Sequence, residues 1–170
     1  MFNIVLYEPE IPQNTGNIMR TCVALNLKLH LIKPYGFKLD EKTLKRSALD
    51  YLEHLEYFEY EDYEDFINKN KGEYFFLTRY GKKKYTDIDF TKIKTNIYLI
   101  FGKESTGVDR TILAKNLDRC FRIPTTDKVR SLNLSNAVAI TSYEVIRQLG
   151  FDDLYDYEPH KGKDFLDNFL

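Results

Sequence analysis

The chain has 170 residues, 43% of them hydrophobic and 30% charged; that is enough for one domain with a buried core and too apolar for a disordered chain. No apolar run approaches the roughly 20 residues that cross a bilayer, so no membrane association is expected. Net charge is -1, from 25 Lys and Arg against 26 Asp and Glu, so total charge does not by itself mark a nucleic-acid binder.

The chain enters a strand at once with "FNIVLY" from Phe2. With no basic n-region ahead of it, export is not expected and a cytoplasmic location is. The loop "EPEIPQNTGN" then leads into a helix over residues 14–25, where Ile18, Cys22 and Leu25 form an apolar stripe. Arg20 falls almost opposite that stripe, with Gly16 one turn behind and Ala24 one turn ahead. A cation flanked by small residues, beside Asn14, Thr15 and Asn17, marks either a place where a ligand comes close or an ordinary wet helix face.

Further strands are predicted at "KLHLI" from Lys28, "YFFLT" from Tyr74, "NIYLIF" from Asn96 and "CFRI" from Cys120. Helices are predicted over residues 41–49, 63–68, 108–116 and 134–149. Strands and helices alternate, and the strands are continuously apolar. The expected fold is therefore α/β, a single domain with a mostly parallel sheet flanked by helices. That domain is placed at residues 1–150. Residues 151–170 form a short acidic, aromatic tail, expected to add a small helix that docks on the body or on a second subunit. Cys22 and Cys120, far apart on regular elements, read as buried free thiols of a reducing compartment.

In open parallel sheets ligands bind beyond the C-terminal ends of the strands, and three loops there stand out. The first is "EPEIPQNTGN". The second, "FGKESTG", places Gly102 and Gly107 around Glu104, Ser105 and Thr106; its glycines let backbone approach a ligand or simply cap a helix. The third, "IPTTDKVRSLNLSN", crowds Ser131, Asn133, Ser135 and Asn136 before a helix whose Ala137, Val138, Ala139, Ile140, Val145 and Ile146 are expected to be buried. Capping through Ser131 or Ser135 takes up one or two of these polar groups, and the remainder suit a ligand rich in donors and acceptors. Further along, Asn136, Tyr143 and Arg147 share one side of the helix, as a solvated edge or part of a shared interface.

Basic residues gather at Lys33, Lys38, Lys42, Lys45 and Arg46, at Arg79, Lys82, Lys83 and Lys84, and at Lys128 and Arg130. Acidic ones gather at residues 53–65 and 152–167. A polyanion needs only a local positive surface, although most charge runs are solvated faces. There is no GxGxxG, Walker lysine, GxSxG, CxxC or HExxH, and His30, His54 and His160 lack metal-ligand spacing. No metal is expected.

Together "YEPEIPQNTGNIMRTC", "KRSALDY", "FGKESTGV" and "RIPTTDKVRSLNLSNAVAI" resemble, in order and spacing, the signature of the SPOUT superfamily of RNA methyltransferases. The resemblance covers nearly the whole chain before the tail. It is strongest to the minimal TrmL-type branch, which methylates the ribose 2′-hydroxyl of the tRNA wobble nucleotide, cytidine or uridine at position 34. It implies a C-terminal deep trefoil knot, S-adenosylmethionine as cofactor and a homodimer. It further implies cofactor contacts from Leu77, Gly102, Ile123, Ser131 and Leu132, with Glu104, Gly107, Asn133 and Ser135 holding the loops. By the same resemblance Asn14 and Arg20 are catalytic, with Tyr143 and Arg147 contributing. The family's usual scheme makes the arginine a base. A guanidinium keeps its proton so firmly that Arg20 is read here instead as stabilising the developing alkoxide and gripping the neighbouring phosphate. The alternatives are a ribose methyltransferase of ribosomal RNA, which often carries an RNA-binding extension for which this chain has no room, and a non-catalytic RNA-binding or assembly module.

Overall fold

The computed structural model describes residues 1–39 and 49–170. Its strands are β1 (Phe2–Tyr7), β2 (Lys28–Ile32), β3 (Tyr57–Tyr60), β4 (Glu73–Leu77), β5 (Lys83–Lys84), β6 (Ile97–Gly102) and β7 (Cys120–Arg122). Its helices are α1 (Pro12–Ala24), α2 (Tyr63–Lys69), α3 (Arg110–Lys115) and α4 (Leu134–Leu149). The strands form one sheet in the order β3-β2-β1-β6-β4-β7-β5, parallel at every pairing. β1 lies inside it, with Asn3 opposite Lys28 on one side and Tyr98 on the other. All six β1 residues are buried, as expected of a strand covered on both faces.

The pleat sends alternate side chains to two cores. Ile4, Leu6, Leu29, Leu31, Leu99 and Phe101 pack with Ile18, Met19 and Cys22 of α1 and Val138 and Val145 of α4. Val5, Ile32, Phe76 and Ile100 pack on the other face with Phe66 of α2 and Leu113 of α3. β1 and β6 are neighbours, yet the chain leaves β1 toward β2 and leaves β6 toward β7 on the opposite side. Their loops diverge, and a crevice opens above them, as at any switch point of an open sheet.

The sheet has seven strands where five are expected from sequence. β3 is missed because "YFEY" sits in the acidic stretch and its first three residues are exposed. β5 is two exposed lysines. α1 starts two residues earlier than predicted because Pro12 occupies its first turn, and α3 starts two residues later because Asp109 caps it through the Thr111 N–H at 2.7 Å. The predicted helix over residues 41–49 and the "KRSALDY" motif fall largely outside the described residues, as do Lys42, Lys45 and Arg46. α4 runs over residues 134–149 as predicted, but Ile140 is 39% exposed. Thr141 and Ser142 take buried places instead, the former bonding back to the Ala137 carbonyl at 2.8 Å. The tail ends in a short 3-10 turn, Phe165–Phe169, with Tyr155 and Phe169 more than 70% exposed. Both cysteines are buried free thiols.

His30 is structural. Its ring is buried, with Nδ1 2.8 Å from the Tyr60 hydroxyl, and packs against Phe58, Phe66 and Tyr98. Burial, helped by the charge of Lys28, pushes its pKa down to about 4. The folded state therefore refuses a proton that the unfolded chain takes up below about pH 6.5. Stability attributable to this group is intact above that pH and is lost as pH falls toward 4. His30→Gln should remove about 2 kcal/mol of the wild-type stability loss between pH 7 and pH 5, read by urea unfolding at the two pH values. An unchanged difference would mean His30 is not held neutral.

Candidate active site

A cavity of about 520 Å³ lies over the C-terminal ends of β1, β4, β6 and β7. Leu77, Phe101, Ile123, Leu132 and Ala137 give it an apolar wall, while Thr78, Ser105, Thr125, Ser131 and Asn133 supply hydroxyls and an amide. Its size and its mixture of apolar wall with a few polar groups suit a nucleoside-sized ligand.

One chain of hydrogen bonds ties the three loops together. Glu104 accepts from the backbone N–H of Glu10 at 2.9 Å and of Ile11 at 3.2 Å, and from Asn14 Nδ2 at 3.0 Å. α1 has no side-chain cap and no acidic residue in its first turn, so the Glu104 carboxylate from the second loop serves its positive end. Asn14 Oδ1 accepts from Asn133 Nδ2 at 3.0 Å. Asn133 Oδ1 in turn accepts from the Ser135 N–H at 2.9 Å and its hydroxyl at 2.7 Å. The cap of α4 is therefore Asn133, not Ser131 or Ser135, because Ser135 already lies inside the helix, where it donates.

The second loop is held from both ends. Ser105 donates to Glu10 through N–H and hydroxyl, each at 2.8 Å, and Lys103 pairs with Glu8 at 2.6 Å, which holds its ammonium above the usual lysine range. Gly107 has φ +79° and donates to the Lys103 carbonyl at 2.9 Å. A Cβ on Gly102 would lie 2.2 Å from the Gly107 carbonyl carbon and the Val108 nitrogen. These glycines allow backbone to pass over backbone and do not cap a helix.

Of the residues singled out in the sequence, Asn14, Leu77, Gly102, Glu104, Gly107, Ile123, Ser131, Leu132 and Asn133 all line the cavity. Ser135 is buried behind it as the partner of Asn133. Arg20, Tyr143 and Arg147 do not line it. Arg20 is exposed six residues beyond Asn14, on the order of 9 Å along α1 at 1.5 Å per residue. Tyr143 is 50% exposed, and Arg147 is held by Glu144 through two contacts of 2.8 and 2.9 Å. Sequence reasoning missed Thr78, Tyr80, Arg110 and Arg122 in the cavity wall. It noted Arg79 and Arg130 only as parts of basic clusters. The available signal was a loop after a strand combining Arg79, Tyr80 and Gly81.

A model of the SpoU rRNA Methylase family matches residues 1–143. The chain belongs to that family. A Geobacillus stearothermophilus protein provisionally named tRNA (cytidine(34)-2′-O)-methyltransferase is 48% identical over 153 residues, covering 89% of this chain and 98% of its own length. A solved structure bearing on 2-OH methylation of C/U34 on tRNA is 38% identical with a TM-score of 0.79, covering 88% of this chain and 96% of that one. The AdoMet-bound rRNA methyltransferase of Sinorhizobium meliloti is 25% identical with a TM-score of 0.76, covering 88% of this chain and 57% of that one. No described helix of this SpoU methylase is long and apolar enough to cross a membrane.

Proposed function

We propose that the protein is an S-adenosylmethionine-dependent tRNA 2′-O-methyltransferase of the wobble nucleotide, cytidine or uridine 34, working in the cytoplasm as a homodimer. The observation that carries this reading is the convergence of three loops on one nucleoside-sized cavity through the Glu104–Asn14–Asn133 chain, in a chain of the SpoU methylase family. The similar Geobacillus protein and the C/U34 structure favour tRNA over ribosomal RNA.

The residues present fit the cofactor. Leu77, Ile123 and Leu132 offer apolar surface for its adenosine, and Ser131 and the backbone of the glycine loop offer polar contacts. Bound there, S-adenosylmethionine supplies a methyl group already activated on a sulfonium. Arg20 would offset the negative charge that develops on the ribose 2′-oxygen as its proton leaves for solvent, and its fork would grip an adjacent phosphate. Asn14 acts by position, since its amide holds the first loop to the other two.

Arg20, Tyr143 and Arg147 become part of a site when a second copy packs against the exposed side of α4, where Ile140 and Tyr143 are each at least 39% exposed. The C-terminal segment is read as the trefoil knot, supported by an order in which β6 lies between β1 and β4 and β7 between β4 and β5.

Gly102→Ala should weaken S-adenosylmethionine binding at least about tenfold by calorimetry, because the added carbon meets backbone that cannot yield cheaply. Wild-type affinity in that variant would remove the glycine crossing from the cofactor site. The function itself is tested by offering labelled S-adenosylmethionine with bulk tRNA or ribosomal RNA. Transfer to tRNA is expected; transfer to ribosomal RNA alone, or to neither, contradicts the reading.

A further inference from the structure

The wall of the cavity carries more positive charge than its cofactor can use. Among the described residues that line it, Arg79, Lys103, Arg110, Arg122 and Arg130 are cationic and Glu104 is the one carboxylate. Lys103 is already paired with Glu8, and Glu104 is taken up by three donors. Four guanidiniums therefore lack a counter-charge in the wall, and Arg122 Nε is buried with no hydrogen-bond partner. A sulfonium donor is itself cationic, so this surplus suits an anionic second ligand.

One of these guanidiniums, Arg79, lies over an aromatic ring at the rim, and a second, Arg110, lines the same wall. Tyr80 is 51% exposed. The Arg79 guanidinium lies 4.8 Å from its ring centre and donates to its hydroxyl at 2.7 Å. Together with Arg110, Arg79 holds that hydroxyl below its ordinary titration range. The turn that presents the ring is tight. Thr78 N–H donates to the Phe121 carbonyl at 2.9 Å, Gly81 N–H donates to the Thr78 carbonyl at 3.1 Å, and a Cβ on Gly81 would sit 2.4 Å from the Phe121 carbonyl carbon. An exposed ring on a rigid turn, with Arg79 against it and Arg110 in the same wall, is a stacking platform with phosphate grips beside it.

We propose that Arg79, Tyr80 and Arg110 form a nucleotide clamp, in which Tyr80 stacks one base of a single-stranded RNA segment and the two guanidiniums hold its phosphates beside the cofactor cavity. The clamp rests on the tRNA reading above and gives its substrate a docking point at the rim of the cofactor cavity.

Tyr80→Ala should raise KM for tRNA about tenfold with kcat within about twofold, and Tyr80→Phe should keep both near wild type because the ring remains. An Arg79→Ala, Arg110→Ala double variant should flatten the slope of log affinity against log salt by about 1.4, the release expected for two phosphates of a single strand. Because these residues sit at the rim of the cofactor cavity, S-adenosylmethionine affinity, measured by calorimetry, should fall by no more than about threefold in any of the three variants, well short of the loss for RNA. An unchanged KM in Tyr80→Ala, or a loss of cofactor affinity as large as the loss for RNA, would overturn the clamp. Should the wild type methylate no tRNA, the functional reading falls, and binding of a single-stranded RNA oligonucleotide decides the clamp separately. Tenfold weaker binding by Tyr80→Ala then sustains it, and equal binding refutes it.

Discussion

Arg20→Ala is expected to lower kcat for methyl transfer to tRNA by roughly 10²–10³-fold while leaving S-adenosylmethionine affinity and thermal stability near wild type. The magnitude is that of removing one preorganised group aimed at charge that develops only in the transition state. Selectivity for kcat follows from its position: Arg20 is exposed on α1, outside the lining of the cavity and outside both cores. Arg20→Lys separates charge from geometry. An ammonium keeps the charge but loses the two-pronged grip on a phosphate or alkoxide, so an intermediate loss is expected. Turnover close to wild type in Arg20→Lys would exclude a bidentate role, and turnover close to wild type in Arg20→Ala would remove the residue from the chemistry.

Glu104→Ala is expected to damage binding and stability together. Its carboxylate is the single acceptor for two backbone N–H groups at the start of α1 and for the Asn14 amide. Without it three donors lose their partner, and the Asn14–Asn133 link that holds the third loop loses its anchor. The site is partly open to solvent, so water recovers some of the loss, and about 2–3 kcal/mol of unfolding free energy should disappear. S-adenosylmethionine affinity should fall by roughly 100-fold if loop order governs binding, which is a larger effect than the lost contacts alone would give. Glu104→Gln keeps one acceptor oxygen and should recover much of both quantities. A Glu104→Ala variant that binds the cofactor normally would show that the loops converge without this tie.

The strands that carry the site were legible because each is a continuous apolar run, and α4 was legible to the residue because its flanks are polar. The loops were legible as loops, and eight of the residues singled out in them meet in one cavity together with Leu77. What joins them was not legible. Glu104 bonds a side chain 90 positions away, and Asn133 bonds one 119 positions away; no local pattern encodes such pairs. For the same reason the cap of α4 was misassigned, since three small polar residues within five positions are equivalent until the backbone chooses one. β3 escaped notice because edge strands tolerate charge, and Tyr80 because a single aromatic after a strand normally belongs to the core. The stripe of Ile140 and Tyr143 on α4 is exposed in the single chain, and it is the stripe to which the proposed second copy is assigned.

The most direct test is to methylate bulk tRNA with the purified protein and S-adenosylmethionine, digest the product with nuclease and locate the new methyl group by mass spectrometry. The expected result is a 2′-O-methyl ribose at nucleotide 34. A methyl group on a base, or on the ribose of another position, would contradict it.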